Sequence, residues 1–434
     1  MPREQHVPEG VPVSRSILLV SYFYPPSTDT GAQRPAAMAK WLRRLGHRVT
    51  VLTTSAYGPG DPDPDTVRTA DAQLWRARLR GRDRVDAMFD ADSYSGRPHP
   101  LSKVLVPEPL VAAWTPFARA RALRLHRRER FDGVITTSPP ESAHAVGLAL
   151  RRRGVPWVAD IRDAWTFEPL RPRFPTAAQR RLDELLERRW LGTADAVVCV
   201  SGPAADDLRQ RGVADPLLVP NGWDPEDVPP SGGASETGDR LLDPTRTSLL
   251  YTGRFGSYGR DPRPLIAALG TLARSDLEAA AKLELVVAGP LTEAERELLT
   301  TDVSPARIVV AGSVPRERAL SLQRDADALL LIASPARSQL LNLKLFEYLA
   351  SGTPILALAG GTEAGRVVGE LGGEVAPADD PGAIEASLRR LASGVLPAPA
   401  PDAVRAYSYP APAERMAEAV ERAIAATGAR RGDG

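Results

Sequence analysis

Short apolar runs alternate with longer amphipathic stretches along most of the chain, the pattern of parallel strands joined by helices. Ser16 to Tyr22 reads as a first strand. The loop Pro25 to Gly31 follows, then a helix at about 33–45, ended by Gly46-His47 before a strand at 48–53. Prolines and charges then break the rhythm over 58–110, which reads as an insertion. The pattern resumes with a helix at about 115–130, a strand at 133–136, a helix at 141–152 and a strand at 157–161. A charged helix at 176–192, a strand at 196–200, a helix at 203–211 and a short strand at 217–219 complete this half. Pro, Gly, Ser and Asp crowd 225–245, as a linker requires. Further strands are read at 248–252, 283–287, 308–310, 328–332 and 355–358. Helices follow at about 382–393 and 411–426, separated by the proline-rich 397–401.

These elements predict an α/β protein of two tandem Rossmann-like domains, each a doubly wound parallel sheet, with a ligand cleft between them. Residues 1–225 form the first domain, 226–245 the linker and 246–405 the second domain. The helix in 406–434 is expected to pack back on the first domain. A length of 434 residues, too great for one core, agrees with two. The net charge of +1 gives no field that would gather nucleic acid. The single cysteine, Cys199, lies in the apolar stretch Ala196 to Val200 and reads as a buried strand residue. A chain with one cysteine forms no internal disulfide, and a cytoplasmic protein is expected. Residues 1–15 lack the apolar core of a signal peptide, and no run reaches the ~18 apolar residues of a membrane span.

The strongest chemical signal is Lys344-Leu-Phe-Glu347-Tyr-Leu-Ala-Ser-Gly352-Thr-Pro354, between apolar runs at 328–332 and 355–358. It predicts a helix that starts near Asn342, faces a crevice at the end of a strand and carries one inward carboxylate. Unpaired N–H groups and a positive dipole make such a helix start attractive to phosphate. Glu347, one turn further in, is placed to accept hydrogen bonds from a ribose diol. Tyr251-Thr-Gly253-Arg254-Phe-Gly256-Ser-Tyr-Gly259-Arg260 follows the first strand of the second half. Its glycines admit a ligand close to backbone, and Arg254 and Arg260 can fork onto diphosphate oxygens. Asp160, Arg162 and Asp163 end a buried strand, where they could line the site or form an internal salt bridge. Asn221 reads as a turn cap. The arginines between Arg119 and Arg130 form either a solvated face or a contact for anionic lipid. The Asp-x-Asp triplets fall in 58–110 or beside a buried strand and do not suggest a metal. No Gly-x-Gly-x-x-Gly follows the first strand, which argues against a nicotinamide dehydrogenase.

The order of these motifs is that of a known family. The loop Ser21 to Gly31, Ser201 after a strand, Pro220-Asn-Gly, Gly253-Arg254, Ala288-Gly289-Pro290 and Lys344 to Gly352 resemble the GT-B fold retaining glycosyltransferases of family 4. Ser138-Pro-Pro-Glu-Ser-Ala-His144 and Trp157-Val-Ala-Asp-Ile-Arg-Asp163-Ala-Trp165 are similar to the bacterial polysaccharide-type members. The resemblance implies transfer of a sugar from a nucleotide-diphosphate donor, commonly a UDP-sugar, to an acceptor hydroxyl. The acceptor would be a lipid-linked saccharide or a soluble small molecule, with no metal or other cofactor. Arg254, Arg260 and His144 would serve catalysis. Gly31, Gly253, Gln339, Leu341, Asn342, Leu343, Lys344 and Glu347 would bind the donor, and Asp160, Arg162 and Asp163 would line the acceptor side. A peripheral seat on the inner face of a membrane would go with the arginines at 119–130. One departure stands out: the family's first Glu of Glu-x7-Glu is Gln339 here, which brings no negative charge. The readings kept beside transfer are a sugar-nucleotide epimerase or hydrolase and a non-catalytic nucleotide-sugar-binding protein.

Overall fold

β1 (Ser16–Val20) is buried at every position, as an interior strand of a parallel sheet covered on both faces must be. The structure is a computed structural model. It describes residues 13–432 except 28, 61–62, 80–103, 168–172, 228–240, 257–259, 336–340 and 342. Among these residues, the first sheet comprises β1, β2 (Arg48–Thr54), β3 (Thr66–Thr69), β4 (Gly133–Ser138), β5 (Trp157–Ile161), β6 (Ala196–Cys199) and β7 (Leu217–Leu218). Their order is β3-β2-β1-β4-β5-β6-β7, and every pairing is parallel. The second sheet holds β8 (Thr247–Thr252), β9 (Leu283–Ala288), β10 (Arg307–Gly312), β11 (Ala328–Ile332), β12 (Ile355–Leu358) and β13 (Glu374–Ala376). Its order is β10-β9-β8-β11-β12-β13, again all parallel. This is the two-domain, doubly wound architecture expected from the sequence.

In each sheet the winding reverses between two adjacent strands, β1 and β4 in the first, β8 and β11 in the second. Loops leaving the carboxyl ends of such a pair diverge and leave a crevice. Those loops begin at Ser21, Pro139, Gly253 and Ala333, so the fold places four of the motifs at the mouths of the sheets.

The reading of 58–110 as an insertion needs correction for its first part. Thr66–Thr69 is the edge strand β3, in parallel register with β2, and Ala72–Arg78 is a helix. Asp71 caps that helix by accepting from the Gln73 N–H, and it also accepts from the Tyr22 and Thr54 hydroxyls. Residues 80–103 lie outside the described part, as does most of the expected linker. Capping fixes other helix starts: Thr176 and Gln179 form a reciprocal box ahead of Ala177–Leu191.

The Ala411–Gly432 helix lies on the first domain. Its Ala413, Met416, Ala419, Val420 and Ala423 share one apolar cluster with Ile17, Leu19, Val158 and Val198. The chain therefore leaves the first domain, builds the second and returns. No helix among the described residues is long and apolar enough to cross a membrane.

Candidate functional site

A cavity of about 350 Å³ opens at the second sheet's switch point. That size fits a small-molecule ligand. Backbone builds one wall. Gly253 has φ +102°, a conformation that favours glycine, and donates its N–H to Ala288 O at 2.7 Å. Gly289 backs onto it so closely that a Cβ there would stand 2.3 Å from the Gly253 carbonyl oxygen. Both glycines are thus required by close approach. Tyr251 holds the next residue by donating its hydroxyl to Arg254 O at 2.6 Å, and Arg260 Nη1 donates to the same oxygen at 3.1 Å.

The Leu343–Ser351 helix forms the opposite wall. Lys344 and Glu347, one turn apart, both line the cavity. The Lys344 Nζ lies 3.8 Å from the centre of the Tyr251 ring and has no hydrogen-bond partner among the described residues. Burial drives its pKa well below the ordinary lysine value; the charge of Arg260 adds to the effect and that of Glu347 opposes it. Glu347 Oε1 pairs with Arg316 Nη1 at 2.6 Å. Arg316 opens the Arg316–Asp325 helix and lies against both this cavity and a small one beside it. That small cavity joins Glu347, Phe346 and Arg316 to Arg34, Asn221 and Trp223, so Glu347 sits where the two domains meet.

Of the expected donor residues, Gly253, Lys344 and Glu347 come together here. Arg254 is exposed immediately beyond Gly253, and Arg260 is half-buried on the same loop. The Leu341 side chain lies in the apolar core with Leu345, Leu349 and Val367, so any donor contact there is through its backbone. Gln339 and Asn342 lie outside the described residues, and so does the side chain of Leu343. Arg316 and Gln323 were not anticipated. Gln323 donates to Thr252 Oγ1 at 3.0 Å and fixes the strand end behind the cavity.

In the first domain the acceptor-side residues separate. Asp160 is paired with Arg34, through contacts of 2.8 and 3.1 Å; of the two aspartates read as partners for Arg162, only Asp163 lies beside it. The Arg34 guanidinium also donates to Val219 O, Pro220 O and Asn221 Oδ1, locking the strand end to the turn where the chain crosses between domains. Asn221 is thus one of the acceptors of this clamp. Arg162 donates to the Gly31 carbonyl at 2.6 Å and stands 3.5 Å from Asp163. A Cβ on Gly31 would meet Arg162 Nη1 at 2.7 Å, so a larger residue there would displace the end of the Arg162 side chain. A second cavity, about 360 Å³, runs from this loop along the first helix past Ser27, Gln33 and Lys40 to Asp227.

His144, given a catalytic role by the resemblance, is covered in this structure. It is 0% exposed, stacked on Trp165 and tilted against Trp157. Its Nδ1 is 2.8 Å from Thr136 Oγ1, which also accepts the Trp157 indole N–H. Contact with a donor sugar would require the groups covering the ring to move. Burial pushes its pKa down to about 4. An unfolded histidine takes up a proton below about pH 6.5 that the folded ring refuses. The stabilisation is therefore complete above pH ~6.5 and falls by up to about 3 kcal/mol as pH drops towards 4. Urea midpoints measured across that range should show the slope, and His144→Phe, which keeps the stack, should lack that part of it.

The sequence was then compared with known proteins. Residues 30–222 match the model of the glycosyl transferase 4-like domain, and residues 246–393 match that of glycosyl transferases group 1. No curated protein sequence matches the chain. Among solved structures, sucrose-phosphate synthase from Thermosynechococcus elongatus is similar at a TM-score of 0.61 and 18% identity, over 95% of this chain and 100% of that one. α,α-Trehalose 6-phosphate synthase from Burkholderia multivorans gives 0.57 at 15% identity, over 95% and 100%. AviGT4, a glycosyltransferase involved in avilamycin A biosynthesis, gives 0.53 at 19% identity, over 95% and 98%. At such identities the likeness establishes the fold, and the two domain matches add the class of chemistry. With both halves matched in order on this frame, the chain belongs to the GT-B glycosyltransferases, a 4-like domain followed by a group 1 domain.

Proposed function

We propose that this glycosyltransferase is a retaining, metal-independent hexosyltransferase of family 4 that uses a nucleotide-diphosphate sugar, with uridine as the favoured base. The observation that carries the donor reading is the second-domain cavity. It presents glycine backbone, a buried amine and a carboxylate at the end of the sheet, where a phosphate, a ribose and their connecting backbone contacts can be satisfied together.

In this reading Glu347 accepts hydrogen bonds from the ribose diol. Arg316 holds that carboxylate in place through Oε1. Arg254 and Arg260 neutralise the diphosphate as it leaves. The acceptor enters from the first domain, along the Ser21–Gly31 loop that Arg162 supports. Retention places the acceptor hydroxyl on the leaving-group side of the sugar. The bond from the anomeric carbon to phosphate oxygen breaks, the bond to the acceptor oxygen forms, and the hydroxyl proton passes to the departing diphosphate. Such a reaction needs stabilised leaving charge more than a strong protein base, which suits a site whose first-domain histidine is buried and neutral.

The acceptor is proposed to be a lipid-linked saccharide or a small molecule. The arginines of the Thr115–Glu129 helix would let the enzyme rest on an anionic membrane surface on its cytoplasmic side. The deciding experiment is nucleotide release from UDP-, GDP-, TDP- and ADP-sugars in EDTA, with and without a cell-derived lipid fraction. Acceptor-dependent release with one donor supports the reading. Release that needs no acceptor turns it towards an epimerase or hydrolase, and loss of all release in EDTA overturns the metal-free account.

Glu347→Ala should weaken donor binding by about 10- to 100-fold, the loss expected for hydrogen bonds to a charged group. Turnover at saturating donor should change far less. Titration of the nucleoside diphosphate against both proteins measures the first effect, and steady-state kinetics the second.

A further inference from the structure

Lys344 is an unusual element of the donor cavity. Its amine is closed off from solvent yet meets no acceptor among the described residues. Its neighbour is the face of the Tyr251 ring, 3.8 Å away. Gly253 leaves room for it: a Cβ there would stand 3.0 Å from Nζ. The one carboxylate nearby in the cavity wall, Glu347, is already paired with Arg316 at 2.6 Å. A buried polar group without a partner is costly unless something completes it. This one stands beside a cavity that Lys344 lines and whose other wall is glycine backbone.

We infer that Lys344 is a further diphosphate-binding residue of the donor cavity, held against Tyr251 until an anion gives its amine a partner. The inference rests on the donor-cavity reading above and adds a property to it. Burial and the charge of Arg260 both disfavour the ammonium in the empty cavity. A diphosphate reverses that balance by bringing negative charge into the same space. The amine then takes a proton from the medium as the nucleotide enters, and the ammonium donates to phosphate oxygen. Donor binding is thereby coupled to proton uptake.

The test is calorimetric titration of the intact protein with UDP, GDP, TDP and ADP near pH 8, where the terminal phosphate is already ionised, in HEPES and in Tris. The difference in apparent enthalpy between buffers reports protons exchanged. Net proton uptake on nucleotide binding is expected for the wild type. Lys344→Met should abolish the uptake and weaken affinity by about tenfold or more. Pyrophosphate should show the same uptake, and the bare nucleoside none. Nucleotide binding with no proton uptake by the wild type overturns the inference and leaves the donor cavity standing, a result that does not depend on the variant's folding. Equal uptake by Lys344→Met assigns the proton to another group and overturns it too. Failure of all four nucleotides to bind the wild type overturns the donor-cavity reading itself, and this inference with it.

Discussion

Arg254→Ala is expected to fold normally and to lose about 10²–10³ in turnover, the range seen when one preorganised stabiliser of developing charge is removed. The residue follows Gly253 at the cavity wall, on a loop whose position does not depend on its side chain. That loop is set by the positive φ of Gly253, by the Tyr251 hydroxyl and by Arg260, both of the latter acting on the Arg254 carbonyl. The guanidinium itself is exposed, with no ion pair among the described residues, so truncation removes charge without stranding a partner. The loss should therefore appear in kcat, with little change in thermal unfolding. Arg254→Lys should recover part of it, since a point charge replaces the fork incompletely. Rates are measured with whichever donor the release panel identifies. Unchanged turnover in Arg254→Ala would remove this residue from leaving-group stabilisation.

Arg34→Met is expected to act on the other axis, costing about 3–5 kcal/mol of stability. Arg34 and Asp160 are both almost wholly buried, with side chains 2% and 4% exposed. Removing the cation leaves the Asp160 carboxylate buried without its counter-charge and three further acceptors, Val219 O, Pro220 O and Asn221 Oδ1, without their donor. Pairing the change with Asp160→Leu should restore a large share of the loss, because the isolated charge is then gone as well. Urea unfolding followed by tryptophan fluorescence reports on the first domain, whose core holds Trp114, Trp157 and Trp165. A single variant as stable as the wild type would mean that the clamp contributes nothing net.

Much of this architecture is legible in the sequence because its central strands are buried on both faces. Runs such as Ser16–Val20, Ala328–Ile332 and Ile355–Leu358 are apolar without interruption, and no other element competes for that signal. Edge strands lose it. Thr66–Thr69 is half-buried and reads Thr-Val-Arg-Thr, and Glu374–Ala376 spans three residues, so neither stands out from a loop. The donor cavity was readable where motif and element coincide, at Gly253, Lys344 and Glu347. Arg316 was not, since its partner Glu347 lies 31 positions away on another helix. Arg34 was missed for a related reason. An arginine early in an amphipathic helix looks solvated, and only the fold brings Asp160 and the 219–221 turn to it.

The return of the Ala411–Gly432 helix to the first domain has a consequence for how the chain is made. During synthesis the second domain can complete its sheet as soon as its own strands emerge. In the first domain one face of the sheet, at Ile17, Leu19, Val158 and Val198, is closed partly by the first helix and partly by residues made only after the second domain. The latter part stays uncovered while some two hundred further residues are added, between Leu218 and Ala413. The first domain is thus finished only after the second has been made, and in that interval its uncovered apolar surface is open to aggregation or to a chaperone.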